Sequence, residues 1–170
     1  MNMVWHYAPW AYLSAMVESG ALRGSNTNAP NELPMLWFSA NQSCEPTATK
    51  LVANNPNGTD LFALTFKQQS EILGCIRFGL VAGDIRLLNW KQACSAAGTP
   101  WKKRKAMETK GHRLGANPAD WFATYENIAL TELHFQVWSD EWCDASSPHD
   151  MAAIWAKRQA RSAASPLYRA

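Results

Sequence analysis

The order of apolar and polar residues at the start of the chain predicts a strand, a helix and a second strand. Residues 3–7 are a short run of strand length, and Pro9 follows where the first turn of a helix tolerates proline. Gly20 is a natural helix stop, and residues 24–34, rich in Asn, Ser and Pro, predict a loop. Residues 35–40 form a continuous apolar run, typical of a strand that is covered on both faces. The apolar stripe of the helix comprises Trp10, Leu13, Met16, Val17 and Leu22.

The remaining pattern predicts further strands and helices in one α+β domain over residues 1–170, with no repeat or long linker to divide it. Ser147 and Pro148 form an N-cap followed by proline at the first helical position, so we expect a helix over residues 148–163. The other predicted elements are a turn-rich loop at 54–60, a strand or strand-to-helix junction at 61–66, a strand at 75–80, helices at 87–97 and 100–114 with Gly115 as the stop, and two strands at 121–130 and 133–138 separated by a bend.

Composition is that of a globular protein, with 47% apolar and 18% charged residues in a chain of 170. The nine tryptophans indicate an aromatic core, in which we expect Trp90, Trp101, Trp138 and Trp155. A net charge of +2 gives no strong preference for nucleic acid. The four cysteines are widely separated and have neither C-x-x-C nor zinc spacing, so we expect no metal site. No segment resembles a secretory signal or a membrane span, which predicts a cytoplasmic protein with no membrane partner.

Three short segments, taken in order, are the most specific feature of the chain. The first is Trp5-His6-Tyr7-Ala8-Pro9, with its helix and the Gly20-Ala21-Leu22 exit. The second is Leu36-Trp37-Phe38-Ser39-Ala40-Asn41, and the third is Tyr125-Glu126-Asn127. This order resembles the ADP-ribosyltransferase superfamily, which includes the poly-ADP-ribose polymerases, the DarT toxins and the RNA 2′-phosphotransferases. The resemblance implies a split β-sheet core flanked by helices, and NAD as substrate.

The reaction of an ADP-ribosyltransferase determines which chemical groups its active site needs. Cleavage of the bond between nicotinamide and ribose passes through an oxocarbenium-like transition state. It therefore needs a clamp for nicotinamide, a donor that orients the ribose and a carboxylate near the developing positive charge. The resemblance implies that His6 and Glu126 are catalytic: His6 hydrogen-bonds the ribose, and Glu126 contacts a ribose hydroxyl and positions or activates the acceptor.

The resemblance also implies which residues bind NAD. The backbone of Tyr7 would hold the nicotinamide amide, Trp37 or Phe38 would border its ring, and Ser39 would contact the ribose or support Glu126. Arg77 interrupts an apolar strand, so its guanidinium either pairs structurally with a carboxylate, which we favour, or faces an NAD phosphate.

The chain departs from the polymerases at two points, and simpler interpretations exist for the candidate residues. Tyr7 stands where the polymerases have glycine, and residues 45–49 lack the aromatic residue expected after the second strand. A histidine in an apolar strand is often a core residue, and Glu126 fits an alternating run with one solvated face. Glu132 is a rival carboxylate.

Two functions of different classes follow. The first is an NAD-dependent mono-ADP-ribosyltransferase that modifies a nucleic acid or a protein, as a toxin, a phage or bacterial effector or a housekeeping enzyme would. The second is a non-catalytic binding or inhibitory protein that uses exposed Trp101 and Trp142 with basic helices as its surface. The most basic run is Trp101-Lys102-Lys103-Arg104-Lys105, followed by Lys110 and Arg113; a solvated helix face is its simpler interpretation.

Overall fold

A large antiparallel sheet forms the centre of the molecule. The computed structural model describes residues 2–25, 29–53, 57–58 and 60–164, which form one α+β domain. The strands are β1 (Met3–Ala8), β2 (Ala21–Leu22), β3 (Leu36–Ser39), β4 (Leu51–Ala53), β5 (Leu61–Ala63), β6 (Ile76–Val81), β7 (Leu88–Asn89), β8 (Trp121–Thr124), β9 (Ile128–Ala129), β10 (His134–Trp138) and β11 (Trp142–Ala145). The α-helices are α1 (Leu13–Ser19), α2 (Phe66–Ile72), α3 (Trp90–Ala97), α4 (Trp101–Arg113) and α5 (Pro148–Ala164).

Seven of these strands form the main sheet, in the order β11-β10-β6-β1-β3-β8-β7. Strands β1 and β6 pair along their whole length, from Met3–Val81 to Ala8–Ile76. Strands β1 and β3, by contrast, pair at one position only, between Trp5 and Ser39. Strands β2 and β9 form a second, small sheet, and β4 and β5 form a third. The sheet is therefore continuous, but its middle junction is held by a single residue pair.

Alternation of side chains gives the sheet two faces with different contents. Because successive residues of a strand point to opposite faces, Val4 and Phe38 lie on one face, while Trp5 and Ser39 lie on the other. The first face carries the larger apolar core, which Met151 of α5 completes. On the second face, Ala93 and Ala97 of α3 pack against Ala123 of β8. Helices thus cover different parts of the two faces.

Several predicted elements are confirmed, and their ends follow the expected local signals. Gly20 ends α1 with φ at 69°. The hydroxyl of Ser147 accepts the backbone N–H of Asp150, so Ser147 caps α5 as predicted. Residues 61–66 are a strand that leads into a helix, the second of the two alternatives. Parts of the predicted loops at 24–34 and 54–60 lie outside the described residues.

Other predictions were wrong, each for a local reason. Leu22 belongs to β2 and not to the helix stripe, because the chain reverses at Gly20. The predicted strand at 121–130 is two strands in different sheets, and the predicted helix at 87–97 begins as β7. Strand β11 was not predicted, since its four residues include the polar Asp144. Trp101 is 63% exposed instead of buried, whereas Trp90 is buried as expected.

Arg77 on β6 is the most connected polar side chain of the sheet. Its guanidinium carbon lies 4.0 Å from the centre of the Trp5 ring and 4.1 Å from that of Trp142. Its nitrogens donate to the Tyr7 hydroxyl at 3.2 Å, to the Gln42 carbonyl at 2.6 Å and to the Gln136 side chain at 2.6 Å. No carboxylate within the described ranges pairs with it directly, contrary to the expected structural pairing. Trp142, expected to be exposed, is half-buried in this cluster.

Replacement of Arg77 is expected to destabilise the protein strongly. Arg77→Ala removes three cation–π contacts and leaves buried and part-buried acceptors without donors, so we expect the free energy of unfolding to fall by about 3 kcal/mol or more. Arg77→Lys should recover only part of this loss, because an ammonium lacks the planar fork that both stacks and donates in several directions. Urea denaturation measures the effect, with the exposed Lys102→Ala as control. Equal stability of Arg77→Ala and wild type would contradict the assignment.

Candidate functional site

One cavity of about 490 Å³ lies against the second face of the sheet, where β1 and β3 join. Its size is within the range of small-molecule sites. It is enclosed by the main sheet, the segment that follows β3, the β4–β5 pair, the start of α3 and one side of α4. Its lining includes Trp5, His6, Tyr7, Trp37, Phe38, Ser39, Glu45, Thr47, Lys50, Trp90, Met107, Lys110, Gly111 and Trp121.

A cross-strand row of three residues forms the floor of the cavity. Trp5 of β1 is opposite Ser39 of β3, and Ser39 is opposite Trp121 of β8. Side chains opposite one another on a sheet have Cβ atoms about 5 Å apart. The small serine between two indoles therefore leaves a hollow, into which another side chain can fit.

Glu45 fills this hollow. It is 6% exposed, and its Oε2 accepts the Ser39 hydroxyl at 2.7 Å. Its Oε1 accepts the backbone N–H and the hydroxyl of Thr47, at 3.1 and 2.5 Å. In each of these contacts with described residues, the carboxylate oxygen is the acceptor. Glu45 is thus a buried carboxylate on the lining of the cavity.

His6 occupies the gap where β1 and β3 are no longer paired. Its Nδ1 lies 2.9 Å from the Trp37 carbonyl oxygen, and its ring contacts those of Phe38 and Phe78. The imidazole thereby replaces a backbone hydrogen bond that the two strands do not form with each other. Burial lowers the pKa of His6, an effect that the hydrogen bond to Trp37 opposes, so the ring is neutral at pH 7.

Tyr7 is fixed by hydrogen bonds at its far end. Its hydroxyl donates to the Asn41 carbonyl at 2.6 Å and accepts from Arg77. Burial raises the pKa of Tyr7 to about 12, although Arg77 counteracts this, so the phenol stays protonated. Its ring is therefore a rigid part of the cavity wall.

Three tryptophans form the wall on the other side. Trp90 packs against Trp37 and Trp121, with ring centres 5.5 and 4.9 Å away. Helix α4 reaches this wall through Gly111, where a Cβ atom would lie 2.5 Å from Cη2 of Trp121. Glycine is needed here because of this close approach, which brings the helix against the edge of the cavity.

Two lysines contribute positive charge to the lining. Lys110 is exposed on α4, and Lys50 is half-buried with its ammonium 5.4 Å from the centre of the Tyr12 ring. Burial lowers the pKa of Lys50. Neither lysine forms an ion pair with a described residue. Both are therefore available to an anionic group of a ligand.

Five of the residues predicted to bind NAD line this one cavity: His6, Tyr7, Trp37, Phe38 and Ser39. Arg77 does not line it, and protein groups occupy its guanidinium. Glu126 also lies outside the lining: it follows the end of β8, is exposed, and its backbone N–H donates to the Thr124 hydroxyl. Ser39 donates to Glu45 and not to Glu126, contrary to one of its two predicted roles. The rival Glu132 forms an ion pair with Arg86 at 2.8 Å.

Glu45 and Lys50 were missed by sequence reasoning. Glu45 begins the segment 45–49, which lacks the aromatic residue expected from the resemblance, and Lys50 follows directly after it. The available signal was the dipeptide Glu45-Pro46, in which the carboxylate caps a turn whose first position is proline. That signal indicates a turn, and only the fold reveals that the turn lies over Ser39.

Comparison of this chain with protein-family models, curated proteins and solved structures yields no match. Within the described part of the chain, no three His, Cys, Asp or Glu residues are grouped so as to hold a metal ion. None of the described helices has the length and apolar character needed to cross a bilayer.

The neutral His6 is expected to make stability depend on pH. Because its pKa is lower in the folded protein than in the unfolded chain, acid favours the unfolded state, which binds the proton more readily. We expect the free energy of unfolding to fall between about pH 7 and pH 5, and the fall to be smaller in His6→Gln. Urea denaturation at several pH values measures this, with the exposed His112→Gln as control. Identical pH dependence of His6→Gln and wild type would refute the assignment.

Proposed function

We propose that the protein is an NAD-dependent mono-ADP-ribosyltransferase whose nicotinamide and adjoining ribose bind in this cavity. The observation that carries the proposal is convergence: His6, Tyr7, Trp37, Phe38 and Ser39, chosen for their resemblance to the superfamily, line one cavity. These residues come from two strands separated by an entire helix and loop. The acceptor is a macromolecule, either nucleic acid or protein.

The strand arrangement supports the same proposal. Strands β1 and β3 carry the first two resembling segments, the third follows the end of β8, and these three strands are consecutive neighbours in the sheet. The pairing of β1 with β3 at a single position, within a continuous sheet, is compatible with the split core that the resemblance implies. The seam between those parts is where the cavity lies.

The chemistry of the lining fits the cleavage step. The bond between the nicotinamide nitrogen and C1′ of the ribose breaks, and nicotinamide leaves neutral with the electron pair of that bond. A nucleophile on the acceptor then bonds to C1′ and loses its proton. Flat aromatic walls suit the nicotinamide ring, a carboxylate stabilises the developing positive charge, and the lysines suit the diphosphate.

The carboxylate has two candidates. Glu126 was predicted from the resemblance, and its catalytic role stays a prediction. Glu45 is the carboxylate that the cavity itself supplies, 2.7 Å from Ser39. We assign the charge-stabilising role to Glu45, and a role toward the acceptor is left to Glu126 at the end of β8.

The wild-type protein is expected to be stabilised by NAD and to release nicotinamide from it. Glu45→Gln keeps the size of the side chain but removes its charge, so kcat/KM for nicotinamide release should fall about 100-fold or more. His6→Ala should also lower it, Glu126→Gln tests the rival carboxylate, and Glu71→Gln, exposed on α2, is the matched control. Thermal shift measures binding, and chromatography of nicotinamide measures turnover. Transfer of labelled ADP-ribose to added nucleic acid or protein identifies the acceptor.

Each result of this experiment has a definite meaning. A wild-type protein that neither shifts with NAD nor releases nicotinamide is not a transferase. Loss of turnover in Glu126→Gln with full turnover in Glu45→Gln would support the transferase. It would also assign the charge-stabilising role to Glu126 instead of Glu45.

A binding protein is the second candidate, and the surface of α4 favours it. Lys102, Lys110 and Arg113 are exposed and form no ion pair with described residues. Trp101, 63% exposed, begins the same helix. Four cations follow Trp101 directly, although positive charge is unfavourable at a helix N-terminus. Exposed cations beside an exposed indole suit the phosphates and bases of a single-stranded nucleic acid.

Binding to a single-stranded oligonucleotide should therefore weaken as salt increases. With three phosphate contacts, the slope of log affinity against log salt should be about −2. Lys102→Gln should reduce that slope by about 0.7, and Trp101→Ala should weaken binding about tenfold through lost stacking. Fluorescence anisotropy measures both, with exposed Lys157→Gln on α5 as control. An equal effect of Lys157→Gln and Lys102→Gln would show that α4 is not the binding surface.

A further inference from the structure

The ribbon formed by β4 and β5 exposes apolar side chains on the surface of the protein. Its six strand residues are all apolar: Leu51, Val52, Ala53, Leu61, Phe62 and Ala63. Five of them are exposed, and the exposed fractions of Leu61 and Phe62 are 55% and 40%. Within the described part of the chain, the ribbon is a sheet of two strands only. Two strands alone are marginally stable in water, so this ribbon favours a further strand beside it.

The base of the ribbon is fixed to the rest of the fold. The backbone N–H of Lys50 donates to Oε1 of Gln69 at 2.7 Å, and Gln69 is buried on α2. Leu64, which follows β5, is also buried. The ribbon is therefore held in place at one end, while its exposed strands stay accessible to a partner.

The hydrogen-bond register determines which backbone groups β5 presents at its outer edge. The backbone N–H of Leu64 donates to the Lys50 carbonyl at 3.0 Å. In an antiparallel pair, hydrogen-bonded positions alternate with positions whose backbone groups point away from the partner strand. Phe62, two positions from Leu64, therefore bonds to β4, whereas the N–H and C=O groups of Leu61 and Ala63 point outward. Since no further strand among the described residues pairs with β5, this edge offers four backbone groups to a partner.

A second copy of β5 is complementary to this edge. When two β5 strands pair antiparallel about a two-fold axis, Phe62 lies opposite the partner's Phe62, and Leu61 lies opposite the partner's Ala63. The outward groups of Leu61 and Ala63 then form four hydrogen bonds between the two copies. The two Phe62 rings meet at the position that is not hydrogen-bonded, where side chains on opposite strands are closest and aromatic pairs are stabilising.

The edge also lacks the features that ordinarily keep sheet edges from associating. Such edges carry a charge or a proline, or another segment covers them. Residues 61–63 contain neither a charge nor a proline. The edge of β5 is favoured over that of β4, because all three residues of β5 are exposed whereas Val52 of β4 is half-buried.

We propose that the outer edge of β5 is a self-association surface, at which two copies of this chain pair their β5 strands into one four-stranded antiparallel sheet. The contact uses the same residues on both copies, so it closes at a dimer. Three residues per strand bury less than the roughly 800 Å² per partner of a standard complex, so we expect a dimer that dissociates at micromolar concentrations. The ribbon also lines the cavity through Leu51 and Ala63, so the association brings a second copy close to that site. The dimer does not depend on the proposed transferase activity.

Sedimentation of the full chain over an about hundredfold range of concentration measures the association, and we expect a monomer–dimer equilibrium for the wild type. Phe62→Glu places two carboxylates opposite each other at the two-fold axis, so it should weaken the association about tenfold or more. Phe62→Lys should do the same, whereas an equimolar mixture of the two variants should associate again, because opposite charges then meet across the axis. Ile85→Glu is the matched control, since Ile85 is an exposed apolar residue in the turn between β6 and β7, and it should leave the association unchanged.

A wild type that stays monomeric at every concentration overturns the proposal, as does a dimer that persists unchanged in Phe62→Glu. Species larger than a dimer would overturn the closed two-fold contact, and a mixture that stays monomeric would overturn the pairing of Phe62 with its own copy. If the variants do not fold, amide hydrogen exchange of the wild type decides. The N–H groups of Leu61 and Ala63 should exchange about fivefold more slowly at the highest concentration than at the lowest, and equal exchange at both refutes the pairing.

Discussion

The single pairing of Trp5 with Ser39 is the constraint on which the rest of the structure depends. It joins two well-paired blocks: β11-β10-β6-β1 on one side and β3-β8-β7 on the other. Each block has its own helical cover, α5 on the first and α3 on the second. Beyond this pair the two blocks form no further register pair, although the sheet stays continuous. His6 contacts the Trp37 carbonyl at this junction, and the cavity lies over it.

Side chains of the first block hold the segment that follows β3, and so compensate for the missing backbone pairs. The Tyr7 hydroxyl donates to the Asn41 carbonyl, Arg77 donates to that of Gln42, and the indole of Trp142 donates to that of Ser43. Three consecutive carbonyls thus each accept a side-chain hydrogen bond. Glu45 follows two residues later, so the same network determines where the carboxylate lies.

The sequence predicted those parts of the fold that local patterns encode. Apolar runs located β1, β3 and β6, and the Ser147-Pro148 cap located the start of α5. The end of β8 at Thr124 was not predicted from the sequence, because Ile128 and Ala129 continue the apolar pattern. These two residues form β9, which pairs with β2. Glu45 could not be predicted as a site residue, since its burial depends on the Ser39 hollow and on hydrogen bonds from distant strands. Local signals identify elements, and non-local packing decides which side chains meet.

The charged side chains that line the cavity differ in how deeply they are buried. The acidic Glu45 is buried against the sheet, Lys50 is half-buried, and Lys110 is exposed on α4. A ligand that fits this order carries positive charge at its inserted end and negative charge nearer solvent. NAD has that distribution, with a pyridinium ring at one end of the nicotinamide half and the diphosphate at the other. For the proposed transferase, loss of nicotinamide would remove the positive end of the bound molecule, so the buried Glu45 would favour NAD over neutral nicotinamide.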